Sequence, residues 1–150
     1  MVNRMKINAS VLYYAAAVAT ALAGMIHLMI GPGSLQFNIN QAILFIVGGI
    51  AQVFWIMPMI RRWGKVWYSI GIAGTVALMA IFFITRMPGN PITGRGAPAG
   101  NPMAIAIEVF QGIFIAATAA ILVYESRGAR TRQQEYVEKE KNMRMCQVGK

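Results

Sequence analysis

Two ionisable side chains lie inside long apolar runs of this chain: His27, its single histidine, and Glu108. Ionisable groups are costly in hydrocarbon, so they usually face a protein interior or a water-filled cavity, where they bind, pair or relay protons. Three more polar groups belong with them. Gln111 follows Glu108 by three residues and shares its helical face. Gln52 sits near the middle of another apolar run with Trp55 one turn away, and Arg86 closes a third. One chemistry open to this set is a polar pocket in which Glu108 accepts a proton, a small cation or an amine, with His27 as its partner. The other is an interhelical network that only satisfies itself, with Glu108 paired to Arg86 or His27 and the two glutamines bridging helices. Hydrogen bonds of that kind contribute ~0.6 kcal/mol each in membranes, so they specify packing more than they stabilise it.

Other site chemistries lack their residues. The chain has no aspartate and one cysteine, Cys146, so it offers no disulfide, zinc set, serine–histidine–acid triad or phosphate loop. One histidine cannot supply both axial ligands of a bundle-type haem. No catalytic residue is assigned and no cofactor is expected; copper is the one metal considered. His27 is flanked by Met25 and Met29, and copper accepts imidazole and thioether. Each methionine is two residues away, roughly 200° around a helix, so neither shares the imidazole's face. Met143, Met145 and Cys146 provide a second set of soft sulfurs in the polar tail.

The elements that must position these groups are four apolar runs, residues 11–30, 41–60, 66–85 and 103–124. Helices of ~20 residues rise ~30 Å, the thickness of a bilayer's hydrocarbon core. Hydrophobic residues form 57% of the chain and charged residues 13%, against about 25% in a soluble domain. The expected architecture is all-α: an integral membrane four-helix up-down bundle over residues 1–125, followed by a charged cytoplasmic tail over 126–150. Ala21-Leu22-Ala23 resembles a signal-peptide cleavage site, but the apolar run continues to Ile30, so an uncleaved helix is expected.

The net charge of +9 is explained by where the cations lie. With both tails and the 61–65 turn in the cytoplasm, twelve of the fourteen Lys and Arg residues are inside. The positive-inside rule selects that orientation for a multi-pass protein of the cell membrane, and basic segments facing anionic lipid replace nucleic acid as the reason for the charge. His27 and Glu108 then lie ~5–8 Å below the outer surface, at 1.5 Å per residue.

Gly31-Pro32-Gly33 is expected to end the first helix. The segment RRWGKVWY at residues 61–68 reads as an interfacial turn, with Tyr13 and Tyr14 at the same boundary. The outer loop, RMPGNPITGRGAPAGNP at 86–102, is too rich in proline and glycine for helix or strand. It is expected to cover the bundle, with Arg86 and Arg95 available for an anion or partner contact. The tail is expected to be a frayed helix broken near Gly128. Ala15, Ala19 and Ala23, then Gly71 and Gly74, then Ala116, Ala119 and Ala120 form small-residue ridges that suit close helix packing, within the bundle or onto another subunit.

Several of these segments together form a resemblance. They are His27-Leu28 with Gly31-Pro32, GIAQVFW at 49–55, WYSIGIAGT at 67–75, TRMPGNPITGRG at 85–96 and EVFQ at 108–111. This pattern resembles small four-span membrane proteins of ammonia-oxidising archaea and covers nearly all of residues 11–125. The resemblance implies no defined activity. Some such proteins are joined to copper-binding cupredoxin domains, and these 150 residues include no such domain. A second resemblance, without residue-by-residue motifs, is to the accessory subunits of the archaeal copper-dependent ammonia monooxygenase. The function expected is that of a non-catalytic accessory subunit of a larger membrane complex, with lipid and other membrane subunits as partners. The alternative is a binding or transport protein for a small cation or amine, using Glu108 and His27.

Overall fold

The computed structural model describes residues 9–94, 96 and 101–148. Arg95 lies outside the described residues, and so does the side chain of Cys146. The described chain is helical with turns between the helices: α1 Ala9–Ser34, α2 Ile39–Phe54, α3 Ile56–Arg61, α4 Lys65–Arg86 and α5 Pro102–Val148. Among the described residues four helical segments are long and apolar enough to cross a membrane: Ser10–Ser34, Ile39–Arg61, Lys65–Arg86 and the first part of α5. Their outward surfaces are apolar too, with Val18, Met29, Val47, Ile50, Val76 and Val109 all exposed. Helices that are hydrophobic all round suit a hydrocarbon solvent, where the backbone satisfies its own hydrogen bonds.

The core sits around α1, which packs against α2, α3 and α5, while α4 packs chiefly against α5. Alanines let these helices approach: Ala16, Ala19 and Ala23 are buried, as are Ala117 on α5 and Ala42 on α2. A close backbone approach joins Gly24 of α1 to Gly49 of α2. A Cβ on Gly49 would lie 2.8 Å from Leu28 Cγ and 3.0 Å from the Gly24 carbonyl, distances that only hydrogen at that position avoids. Thr20 adds a polar tie by donating to the Gln52 carbonyl at 2.9 Å.

Three helix boundaries differ from expectation. First, α1 runs through Pro32 to Ser34 instead of stopping at Gly31. A proline in the last turn removes only the ladder bond to the Leu28 carbonyl, and the Ser34 hydroxyl adds a bond to the Ile30 carbonyl at 3.1 Å in that same turn. Second, the second span is two helices meeting at Trp55. Pro58 has no N–H for the Phe54 carbonyl, and the next bond, Met59 N–H to Trp55 carbonyl, is stretched to 3.5 Å. Third, α5 continues unbroken through Gly128. One interior glycine costs ~1 kcal/mol relative to alanine, too little to break a helix whose neighbours are mostly good helix formers. From Arg127 to Met145 this helix is exposed throughout, extending the 47-residue element to about 70 Å.

The helix ends are pinned at both poles. At one, the Tyr13 hydroxyl donates to Glu125, Tyr13 and Tyr68 rings meet at 5.9 Å, and Arg62 lies 4.7 Å over the Tyr13 ring. Tyr13 is therefore a core residue and not an interfacial anchor; Tyr14 alone is exposed. Arg62 takes a left-handed conformation, φ 52° and ψ 54°, to end α3, and is held by a 3.0 Å bond to the Ser10 hydroxyl. At the other pole, residues 88–94 form turns arranged around Asn90. Its Oδ1 accepts from the Ile92 and Thr93 amides at 3.1 and 2.8 Å, while its Nδ2 donates to the Thr85 and Met87 carbonyls. Asn38 and Asn40 at the start of α2 donate to the Thr93 and Ile92 carbonyls, both at 2.9 Å, and clamp this loop across the helix ends.

Candidate functional site

Below that clamped loop lies a cavity of about 170 Å³, large enough for several waters or one small ligand. Four of the residues singled out by sequence line it: His27 from α1, Arg86 at the end of α4, and Glu108 and Gln111 from α5. Ser34, Gln41 and Asn101 also line it, and nothing in the pattern of apolar runs had marked them. The walls are apolar, with Phe45, Leu78 and Phe82 among them.

His27 is 6% exposed. Its Nδ1 lies 2.9 Å from the Ala23 carbonyl one turn back. A carbonyl only accepts, so Nδ1 carries a proton and donates it there, and Gln52 of α2 lies against the ring as a side-chain partner. The ring meets Phe45 edge-on at 5.6 Å and faces Gly48, whose missing side chain leaves it room. Met25 and Met29 are exposed and point away from this interior, so no thioether set surrounds the imidazole. Among the described residues no three His, Cys, Asp or Glu side chains converge. His27 and Glu108 are the one imidazole and the one carboxylate among the residues that line this cavity.

The expected pairings do not form. Arg86 and Glu108 make no ion pair; the Arg86 guanidinium instead lies 3.6 Å over the Phe82 ring, one turn back on its own helix. That stacking holds the guanidinium on a ring face, near enough to Glu108 to act on its charge but not in direct contact with it. Glu108 Oε2 is buried with no hydrogen-bond partner. Gln111 is 1% exposed and its Oε1 is equally unpartnered. Gln52, 4% exposed, does not line this cavity; it faces an adjoining crevice and lies beside the His27 ring, yet its Oε1 completes no hydrogen bond. Gln52 of α2 nonetheless interacts through its side chain with His27 of α1, and the Thr20 hydroxyl adds a second α1–α2 tie through the Gln52 carbonyl.

Buried polar atoms are nearly always satisfied, and an unsatisfied one costs about 1–3 kcal/mol. The adjoining crevice holds an unpartnered acceptor, Gln52 Oε1, and an unpartnered donor, Trp55 Nε1. Glu108 Oε2 and Gln111 Oε1, the two unpartnered acceptors of this cavity, describe a place for something that donates hydrogen bonds. A protonated amine, ammonium or water has that chemistry. Comparison with protein-family models, curated proteins and solved structures finds no match for this chain.

Proposed function

We propose that this chain is a multi-pass protein of the cell membrane that binds or transports a small cation or protonated amine in a pocket on its outer side. In this reading it is a four-helix up-down bundle with both termini cytoplasmic, the orientation that keeps twelve of its fourteen cations inside. The observation that carries the ligand class is Glu108: a carboxylate oxygen buried in a cavity, unpartnered, with the nearby Arg86 turned onto Phe82. Gln111 and His27 would complete the donor-seeking wall. The test is binding of methylammonium to the reconstituted protein. Glu108→Gln should abolish it while circular dichroism and gel filtration stay unchanged; unchanged binding would remove the proposal.

A second role is favoured by α5. Among the described residues nothing covers its segment from Arg127 to Met145, and Tyr136, Val137 and Met143 stand exposed on it. Such a helix suits a subunit of a larger membrane complex, including the copper-dependent monooxygenase to which the sequence bears a resemblance. Mild-detergent isolation from native membranes should then recover stoichiometric partners, and metal quantified in the same fraction decides whether copper accompanies them. A lone monodisperse monomer would count against this role.

A further inference from the structure

A second cavity of about 330 Å³ opens between α2 and α4, lined by apolar and small residues such as Val47, Ile70 and Gly74. Leu44, Leu78 and Ile81 line both this crevice and the polar cavity, so the two adjoin across these side chains. The seam is open because α2 and α4 have no extended packing contact; α4 is held from its other side by α5. Trp55 forms its closed end, its indole seated where a Cβ on Gly71 would clash at 2.1 Å. Gly74 is different: a side chain there would meet nothing within 4 Å.

From this arrangement we infer that the ligand of the Glu108 pocket is an amphiphile: an amine head group on a hydrocarbon chain, entering from the bilayer between α2 and α4. The inference rests on the amine reading of that pocket and specifies its substrate class. The head group's donors are matched by Glu108 Oε2 and Gln111 Oε1, both buried and unpartnered. The chain is matched by the crevice, which faces hydrocarbon along its length if α2 and α4 span the membrane. A water-soluble ammonium ion would have no use for an apolar branch of this size. A hydrocarbon-tailed amine uses both parts at once, because burying methylenes and satisfying acceptors are then one binding event.

The experiment uses the full chain in lipid nanodiscs, with Trp63→Phe and Trp67→Phe leaving Trp55 as the fluorescent reporter among the chain's three tryptophans. Methylammonium and octylamine are titrated, with Glu108→Gln as the reference for simple partition into lipid. Octylamine should bind at least about tenfold more tightly than methylammonium, since the added methylenes are buried in the crevice. Gly74→Leu, which fills open space and not a packed contact, should erase that advantage and leave methylammonium binding in place. Equal affinities for the two amines, or a Gly74→Leu protein that keeps the full octylamine preference, would overturn the inference while leaving the amine pocket standing. Failure of both amines to bind beyond the Glu108→Gln reference would overturn both.

Discussion

At the scale of single residues, the decisive feature is a cation that turns away from its nearest acid. Sequence placed His27 and Glu108 at a similar depth near the end of their spans where Arg86 also lies, because that depth follows from counting residues along spans that alternate in direction. It could not give their pairing, since whether Arg86 reaches Glu108 or Phe82 depends on side-chain packing across helices. Gln41, Ser34 and Asn101 were invisible for a related reason: they lie at helix ends, where polar residues are ordinary. If Glu108 holds a cation, Arg86 raises the cost of putting it there by like-charge repulsion. Arg86→Gln should therefore tighten methylammonium binding by about 2–10-fold, a change of ~0.5–1.4 kcal/mol across a partly screened separation. Weaker binding in this variant would mean that Arg86 contacts the ligand itself. Tyr13→Phe tests the opposite pole. It removes the hydroxyl that donates to Glu125 and should cost about 1.5–3 kcal/mol, the usual worth of a hydrogen bond to a charged group, seen as a lowered unfolding midpoint in detergent.

At the scale of elements, the four apolar runs were legible because length and hydropathy alone decide that a segment can be a spanning helix. Their ends and breaks were less so. Pro58 divides the second span at Trp55, whereas Pro32 and Gly128 leave their helices intact, and the difference is one of position. Pro58 falls inside a helix and strips a ladder bond at Phe54; Pro32 falls in a last turn, where few bonds remain to lose. The glycines divide in the same way. Gly49→Ala would drive a methyl into Leu28 and the Gly24 backbone and should destabilise the protein by about 1–3 kcal/mol. Gly33→Ala meets open space in the last turn of α1 and should be neutral or stabilising by up to ~1 kcal/mol. Thermal unfolding of both variants in one detergent checks the contrast; equal losses would mean that α1 and α2 do not meet at Gly24 and Gly49.

At the scale of the whole molecule, α1 is flanked by α2 and α5, α4 is held by α5 across an open seam from α2, and a clamped loop crosses the pole nearest the cavity. The proposed orientation puts that loop outside and the exposed end of α5 in the cytoplasm. In a Cys146→Ser background, Tyr136→Cys should react with a membrane-impermeant maleimide only from the cytoplasmic side, and Met87→Cys only from outside. The reversed pattern would invert the pocket's access and place its ligand in the cytoplasm. The most direct test of the central claim is the infrared difference spectrum of the reconstituted protein with and without methylammonium. The pocket described here predicts a perturbed carboxyl band that is absent in Glu108→Gln; a spectrum in which methylammonium leaves every carboxyl band unchanged would contradict it.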